Sequence, residues 1–269
     1  MNKPCIITLT TDFGLSDPYV GMMKGVVLSI NPDARIVDIS HQVKAGAVSP
    51  AAGLMQETST FFPKGSIHIG VVDPGVGSDR RPILIRTEDH FFIGPDNGLF
   101  WPIIKSNEHV DVIHLNKDEY FLPRVSHTFH GRDIFAPVAA HLSRGINPLK
   151  MGTIITDPVQ LLLPVSQQHG DILSGQIIRI DNFGNMITNI RKNDLDKHVG
   201  TDRPAVKVGN LIIENVHETY AETEEGELLA LIGSSECLEI AVNLGRACDR
   251  LELGPEELVG MKVEVEKKK

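Results

Sequence analysis

The sequence is poor in the features that mark secreted, membrane-spanning or nucleic-acid-binding proteins. It has three cysteines among 269 residues, one tryptophan, and 26 lysines and arginines against 35 aspartates and glutamates, for a net charge of −9. Nucleic acids and anionic membranes both bind clustered basic residues, so neither is expected as the main partner. No run approaches the ~20 apolar residues of a membrane-spanning helix, and residues 1–14 enter a strand pattern without a signal-like apolar segment. We therefore expect a cytoplasmic protein.

The cysteines also argue against a disulfide framework or a zinc cluster. Cys5, Cys237 and Cys248 are odd in number and have no C-x-x-C spacing. What is present is an ordinary globular composition, 41% hydrophobic and 23% charged, which is enough for a core in one large domain or two.

Two short apolar runs in the first half of the chain each lead into a carboxylate. Residues 67–72 predict a buried central strand followed by Asp73, and residues 5–10 predict a first strand followed by Asp12. The Asp-Pro-Gly sequence that begins at Asp73 is ordinary turn chemistry. Ligands of open α/β sheets, however, collect beyond the carboxyl ends of strands. The turn and the site are compatible interpretations of the same residues.

The first half alternates predicted strands and helices, which favours an α/β domain with a mostly parallel central sheet. Two of the strands, at 82–86 and 90–94, are expected to form a hairpin. The predicted elements are strands at 5–10, 35–39, 67–72, 82–86, 90–94 and 110–115 and helices at 18–30, 45–61, 99–105 and 133–145.

The pattern changes near residue 165, after a polar connector. Short strand patterns then follow at close spacing with hardly a helical pattern among them, which is typical of a small antiparallel sandwich or barrel. We therefore expect two domains, an α/β domain at 1–165 and a smaller all-β, barrel-like domain at 166–269.

A second chemically dense stretch, SHTFHGRD, precedes the helix predicted at 133–145. Asp133 is expected to cap this helix and Arg132 to pair with Asp133, but capping does not explain His130. An isolated histidine, His41, is expected to be a strand-end or packing residue rather than a ligand.

The chain has no nucleotide-phosphate signature of the G-x-G-x-x-G or P-loop type and no G-x-S-x-G nucleophile turn. A metal site built from Asp12, Asp73, His41 and His130 is conceivable, although their separation in sequence does not support it. A pocket with Asp73, Arg80 and His130 could instead hold one water molecule, with Arg80 favouring its anionic form and His130 or Asp73 taking the proton. This set suits the delivery of hydroxide.

Six stretches in order give the chain a resemblance to a known family. They are TTDFGLSDPYVGMMKGV, VVDPGVGSDRR, GPDNGLF, FHGRDIFAPVAAHL, IDNFGNMITNI and GSSECLEIAVNLG. Together they resemble the S-adenosyl-L-methionine (SAM) hydrolases that form adenosine, also called SAM hydroxide adenosyltransferases, which are related to the fluorinase and chlorinase halogenases. The resemblance implies an N-terminal α/β domain, a C-terminal barrel-like domain, and a homotrimer with active sites between the domains of neighbouring subunits.

The resemblance also implies roles for individual residues. The water-activating set of the family falls on Asp73, Arg80 and His130, which would be catalytic. The implied substrate-binding residues are Asp12 at the ribose hydroxyls, Asp17 and Asp181 on the methionine side, Phe183 and Asn185 at the adenine, and Ser234 near the methionine carboxylate. Glu236 departs from the pattern, because relatives often have glycine there.

The expected reaction is hydrolysis of SAM to adenosine and L-methionine, with no metal or redox cofactor, since the sulfonium is already a good leaving group. One alternative is a halogenase that forms 5′-halo-5′-deoxyadenosine. Asp73 disfavours it, because a carboxylate ~4 Å from a halide repels it by roughly 1 to 4 kcal/mol, depending on the effective dielectric. The other alternative is a protein that binds adenosine or SAM without turning it over.

Overall fold

The structure, a computed structural model, describes residues 5–200 and 203–268. The chain separates into two compact units, Met1–Leu162 and Leu163–Lys269. Within the described ranges, no helix is both long enough and apolar enough to cross a membrane.

The first unit is an α/β domain built around one seven-stranded sheet. Its strands and helices alternate in the order expected, and the predicted helix boundaries are accurate to within about three residues. The elements are β1 (Ile6–Thr11), α1 (Tyr19–Ile30), β2 (Arg35–Ser40), α2 (Val48–Ser59), β3 (Ile67–Val71), β4 (Pro82–Arg86), β5 (Phe91–Pro95), α3 (Trp101–Ser106), β6 (Asp111–Leu115), α4 (Ala136–Ser143) and β7 (Gly152–Ile155).

The sheet is mixed, so the prediction of a mostly parallel sheet is not confirmed. Its strand order is β2-β1-β3-β5-β4-β6-β7, in which β2, β1, β3 and β5 run parallel and the pairs β5–β4, β4–β6 and β6–β7 are antiparallel. The predicted hairpin is the physical reason. A short turn after β4 reverses the chain, so β4 lies antiparallel to β5. The remaining strands, β6 and β7, are each antiparallel to the strand beside them as well.

The parallel half of the sheet places β3 in a fully covered position. All five residues of β3 are buried, as expected for a central strand with helices on both faces. Gly70 packs closely against its neighbours, because a Cβ there would stand 2.5 Å from Sδ of Met55 and 2.9 Å from Cδ2 of Leu99. β1 and β3 are adjacent and in register from Ile7↔Ile67 to Thr11↔Val71, so the residues that follow them leave the sheet side by side.

The second unit is built from an antiparallel sheet that curls on itself. Its strand order is β12-β11-β15-β9-β10-β14-β13, and the edge strands β12 and β13 lie against each other, which makes the sheet barrel-like. The elements are β8 (Gln167–His169), β9 (Ile172–Ile180), β10 (Met186–Arg191), α5 (Lys192–Val199), β11 (Arg203–Val208), β12 (Leu211–Glu214), β13 (Leu228–Ile232), β14 (Cys237–Val242), α6 (Pro255–Leu258) and β15 (Lys262–Lys268).

The helix α5 was not anticipated by the strand patterns of this half. It is a strongly polar segment that buries only Leu195 and His198. Two buried positions three residues apart form one narrow stripe, which gives a weak periodic signal in sequence.

Candidate active site

The turn after β3 brings an arginine back onto the carboxylate that ends the strand. Backbone hydrogen bonds from Val76 N to Asp73 O and from Ser78 N to Gly75 O close two successive turns. The chain then returns so that Nε of Arg80 lies 3.0 Å and 2.9 Å from the two oxygens of Asp73, and Nη2 of Arg80 also donates to Asp73. The turn interpretation of these residues is therefore correct, and the turn is what builds the ion pair.

The Asp73–Arg80 pair is shielded from solvent. The exposed fractions of the two side chains are 5% and 8%, and the guanidinium lies over the Phe135 ring at 5.4 Å from its centroid. Nη1 of Arg80 is also buried, and it donates to no acceptor among the described residues. A charged donor in this position favours an anion or the oxygen of a polarised water molecule.

His130 completes the cluster from a different part of the chain. Nη2 of Arg80 lies 2.7 Å from Nδ1 of His130. A guanidinium can only donate, so Nδ1 accepts and the proton of the neutral ring sits on Nε2. Burial and the adjacent Arg80 charge lower the pKa of His130, which keeps the ring neutral at neutral pH.

A π-helical turn, Gly131–Phe135, positions both His130 and Phe135. Turns of this kind interrupt α-helices and are frequent at functional sites. Asp133 within it is fully buried and accepts hydrogen bonds from Nε of Arg132 at 2.6 Å and from N of Ser126 at 2.8 Å. Burial alone would raise the pKa of Asp133, but these hydrogen bonds hold it below its ordinary value. The predicted Arg132–Asp133 pair is thus present, whereas Asp133 closes the loop before His130 instead of capping α4.

The loop after β1 is held by contacts of the buried His41 with Thr11 and Asp38. Nδ1 of His41 lies 2.8 Å from Oγ1 of Thr11, and Nε2 of His41 lies 3.1 Å from Oδ1 of Asp38. The backbone of His41 also accepts a hydrogen bond from N of Gly14. His41 therefore does more than pack at a strand end, because it ties the loop that contains Asp12 to the end of β2.

Asp12 and Asp17 occupy different environments on this loop. Oδ2 of Asp12 accepts a hydrogen bond of 2.8 Å from N of Gly46, which fixes the direction of its carboxylate. Asp17 is exposed. Three rings connect this loop with the His130 loop, since Phe13, Tyr19 and Phe129 meet edge to face at centroid distances of 5.3 to 5.8 Å.

In the second unit, Asp181, Phe183 and Asn185 belong to one five-residue loop between β9 and β10. Oδ1 of Asp181 accepts from N of Phe183 and from N of Asn185, each at 2.9 Å, and Oδ2 accepts from Nδ2 of Asn185 at 3.0 Å. The Asp181 carboxylate therefore organises the loop internally. Phe183 projects outward with 75% of its surface exposed.

Ser234 and Glu236 lie in the β13–β14 turn. Ser234 is exposed, and Glu236 has a φ of 57°, in the left-handed region that favours glycine. This conformation gives a physical reason why glycine suits the position.

A hydrogen-bonded pair beside the Asp181 loop, Tyr220 and Glu239, was not predicted as part of a site from the sequence. The Tyr220 hydroxyl donates to Oε1 of Glu239 at 2.6 Å, and Nδ2 of Asn185 lies 3.5 Å from the same hydroxyl. Glu239 is buried within β14, where burial raises the pKa of its carboxyl. A charged residue inside the apolar run CLEIAV was the one signal in sequence that could have identified it.

The structure thus brings together Asp73, Arg80 and His130 by direct contact and places Asp12 at the end of the adjacent strand. Asp181, Phe183 and Asn185 are brought together in the second unit. No three His, Cys, Asp or Glu side chains in the described parts of the chain are placed to share a metal ion, so the alternative metal set from Asp12, Asp73, His41 and His130 is not assembled.

Comparison with known proteins finds relatives over most of the chain. The SAM hydroxide adenosyltransferase N-terminal domain matches residues 7–152, and the C-terminal domain of the same family matches residues 175–260. An (R)-S-adenosyl-L-methionine hydrolase from Salinispora arenicola is 35% identical over 257 residues, which cover 93% of this chain and 94% of that protein.

Two further relatives bear on fold and on the halogenase alternative. The crystal structure of a protein from Thermotoga maritima superposes with a TM-score of 0.90 at 34% identity, covering 97% of this chain and 100% of that one. A fluorinase from an Actinoplanes species is more distant, 28% identical over 219 residues that cover 71% of this chain and 74% of the fluorinase. Since both family domains match in order and together span most of the sequence, the chain belongs to the SAM hydroxide adenosyltransferase family.

Proposed function

We propose that this protein hydrolyses S-adenosyl-L-methionine to adenosine and L-methionine. The observation that carries the proposal is the shielded cluster of Asp73, Arg80 and His130, which combines a carboxylate, a buried guanidinium N–H and a neutral imidazole. The relatives named as SAM hydrolases, at 34–35% identity over most of the chain, support the same activity.

In the proposed reaction, water attacks the 5′ carbon of the ribose while the bond from that carbon to sulfur breaks. The electron pair of that bond goes to sulfur, which leaves as the neutral thioether of methionine. The water proton must go to a base. Nδ1 of His130 already accepts from Arg80, and Nε2 carries a proton, so neither ring nitrogen is free to take another.

Asp73 is therefore assigned as the base. Its carboxylate keeps lone pairs beyond those used by Arg80, because each oxygen can accept two hydrogen bonds. Arg80 orients the water through Nη1 and stabilises its anionic character, and His130 can donate through Nε2–H. Alignment of the water with the leaving sulfonium supplies the rest of the acceleration, so we expect no metal or redox cofactor.

We assign substrate binding to residues of both units. Asp12 would hold the ribose hydroxyls and Asp17 the methionine side, with Asp181 at the amino group and Ser234 near the carboxylate of methionine. Phe183 and Asn185 would contact the adenine. The 75% exposure of the Phe183 ring supports a contact with a planar group from outside its own loop.

We further propose that the protein is a homotrimer in which each active site combines the first unit of one subunit with the second unit of its neighbour. Light scattering of the purified protein tests the stoichiometry. Mixing Asp73→Ala with Asp181→Ala, which removes the carboxylate that organises the second-unit loop and is likewise expected to be inactive, after dissociation and reassembly tests the shared site. Recovered activity supports it, and a mixture as inactive as its components argues that each subunit has its own complete site.

The activity is tested by incubating the protein with SAM in water enriched in oxygen-18. The expected products are methionine and adenosine with one labelled oxygen at the 5′ position. Release of a halogenated nucleoside only after chloride or fluoride is added would support the halogenase instead. Tight SAM binding with no adenosine in a single-turnover experiment would support a binding protein.

A further inference from the structure

We propose that Tyr220 and Glu239 are positioning residues that set the purine specificity of the site, by fixing which way the Asn185 amide faces. This inference rests on the proposed function, because it takes the adenosyl group as the ligand. It concerns two residues outside the Asp181–Asn185 loop that the six family stretches do not single out together.

The Asp181–Asn185 loop is held in place by hydrogen bonds to its backbone. Its ends are joined by the backbone hydrogen bond from Asp181 N to Asn185 O, and O of Gly184 accepts from N of Cys248. Nη1 of Arg246 donates to O of Asn182 at 3.0 Å. A side chain on such a loop has a defined position, so what remains to be fixed is the orientation of its amide.

The donors and acceptors around the Asn185 amide determine its orientation. As a carboxylate, Glu239 can only accept, so the Tyr220 hydroxyl donates to it and turns its lone pairs toward Asn185. Oδ2 of Asp181 is also an acceptor. The two hydrogens of Nδ2 of Asn185 thus face two acceptors, one at 3.0 Å and one at 3.5 Å.

The opposite orientation is unfavourable. Rotating the amide by half a turn would place Oδ1 of Asn185 against the Asp181 carboxylate and the lone pairs of Tyr220, with no hydrogen between them. The network therefore turns Oδ1 away from Asp181 and Tyr220 and presents it as an acceptor.

An amide oxygen held in this way selects for a hydrogen-bond donor on the ligand. The exposed ring of Phe183 in the same loop offers a stacking face for a planar base. The 6-amino group of adenine is a donor, whereas the 6-oxo group of hypoxanthine is an acceptor at the same place. Sites that hold a polar partner rigidly discriminate strongly against an analogue that cannot pair with it.

The test compares the affinities of adenosine and inosine by calorimetry for wild type, Tyr220→Phe and Glu239→Gln. Wild type is expected to bind adenosine at least tenfold more tightly, and each variant is expected to reduce this ratio by about five- to tenfold. Tyr220→Phe removes one acceptor for the amide. Glu239→Gln keeps the shape of the side chain but adds an N–H donor. The Tyr220 hydroxyl can then accept from residue 239 and point its own hydrogen toward Asn185.

The ratio separates positioning from general damage, because a merely loosened loop would weaken both nucleosides alike. Tyr120→Phe, which removes a hydroxyl in the first unit, is the matched control and should leave the ratio unchanged. An unaltered ratio in both variants, with thermal unfolding showing that they are folded, overturns the inference. So does a wild type that binds both nucleosides equally. If wild type prefers adenosine to inosine but releases no labelled adenosine from SAM, the proposed function fails while the inference about purine specificity holds.

Discussion

Nη2 of Arg80 lies 2.7 Å from Nδ1 of His130. Because the arginine can only donate, this contact determines where the histidine proton is, and it removes the histidine lone pair that a general base would need. The same arginine holds both oxygens of Asp73. The contacts of Arg80 therefore leave the Asp73 carboxylate as the proton acceptor and the His130 imidazole as a hydrogen-bond donor.

The first prediction concerns the catalytic carboxylate. Asp73→Ala and the isosteric Asp73→Asn should lower kcat for SAM by about 10²- to 10⁴-fold, the usual contribution of a general base. SAM affinity should change little, because Asp73 acts on the water rather than on the nucleoside. Single-turnover kinetics and calorimetry measure the two quantities separately.

Asp79→Asn is the matched control for this experiment, since Asp79 is exposed in the same loop. The assignment of Asp73 as the base is wrong if Asp73→Asn retains nearly full turnover while Asp79→Asn behaves as wild type.

A second prediction concerns stacking in the second unit. Phe183→Ala should weaken the binding of adenosine by about 0.5 to 1.5 kcal/mol beyond the effect of lost area, which is typical of an aromatic pair. kcat at saturating SAM should be nearly unchanged, since the ring is remote from the attacking water in the proposed scheme. Leu244→Ala removes another exposed apolar side chain of the same unit, 82% exposed, and should not alter affinity. Equal affinities for Phe183→Ala and wild type would refute the assignment.

The parts of the structure that local chemistry decides are predictable from the sequence. An apolar β-branched run followed by Asp-Pro-Gly predicts a buried strand and a turn, and β3 with the loop to Arg80 confirms both. The carboxylate and the guanidinium are only seven residues apart, so a turn is sufficient to join them.

Contacts between distant residues could not be read in this way. His130 is fifty residues from Arg80, and no pattern of spacing joined the two. Their residue types suggested a shared pocket, and the resemblance to a family implied the same grouping. Tyr220 and Glu239, and likewise Thr11 and His41, lie on separate elements, and their pairing depends on strand register and loop direction. The antiparallel half of the first sheet begins at the predicted hairpin, but the places of β6 and β7 beyond it depend on packing across the sheet rather than on the local sequence.

The conformation of Glu236 leads to a prediction on stability. Its φ of 57° is unfavourable for a residue with a Cβ, at roughly 1 kcal/mol or more. Glu236→Gly should therefore raise the free energy of unfolding by about 0.5 to 1 kcal/mol, after the greater entropy of glycine in the unfolded chain is subtracted. Denaturant titration at neutral pH measures the change.

Glu236→Ala separates backbone strain from any effect of the charge, because alanine keeps the strain and loses the carboxylate. We expect Glu236→Ala to lie within about 0.5 kcal/mol of wild type, as most exposed substitutions do. If alanine stabilises as much as glycine does, the cause is the charge and not the backbone.

The last prediction concerns pH and a histidine remote from the cluster. His68 is the second residue of β3 and is buried with Nδ1 2.8 Å from Oγ1 of Thr8, and its ring packs on Phe92 and beside His90. Burial, with a smaller effect of His90, lowers the pKa of His68 from 6.5 to about 3. The folded protein therefore holds the His68 ring in its neutral form. Below pH 6.5 the unfolded chain binds a proton at this residue, whereas the folded chain does not bind it until near pH 3.

The stability contributed by His68 is thus complete above pH 6.5 and is lost as the pH falls toward 3. At pH 4.5 the loss attributable to this residue is about 3 kcal/mol. His68→Asn can keep a hydrogen bond to Thr8 but cannot take up the proton, so its free energy of unfolding should fall less steeply between pH 7.5 and 4.5 than that of wild type. His109→Asn, at an exposed histidine, should keep the wild-type slope. Urea titrations across this range give the slopes, and equal slopes for wild type and His68→Asn would show that the folded protein accepts the proton at His68 without penalty.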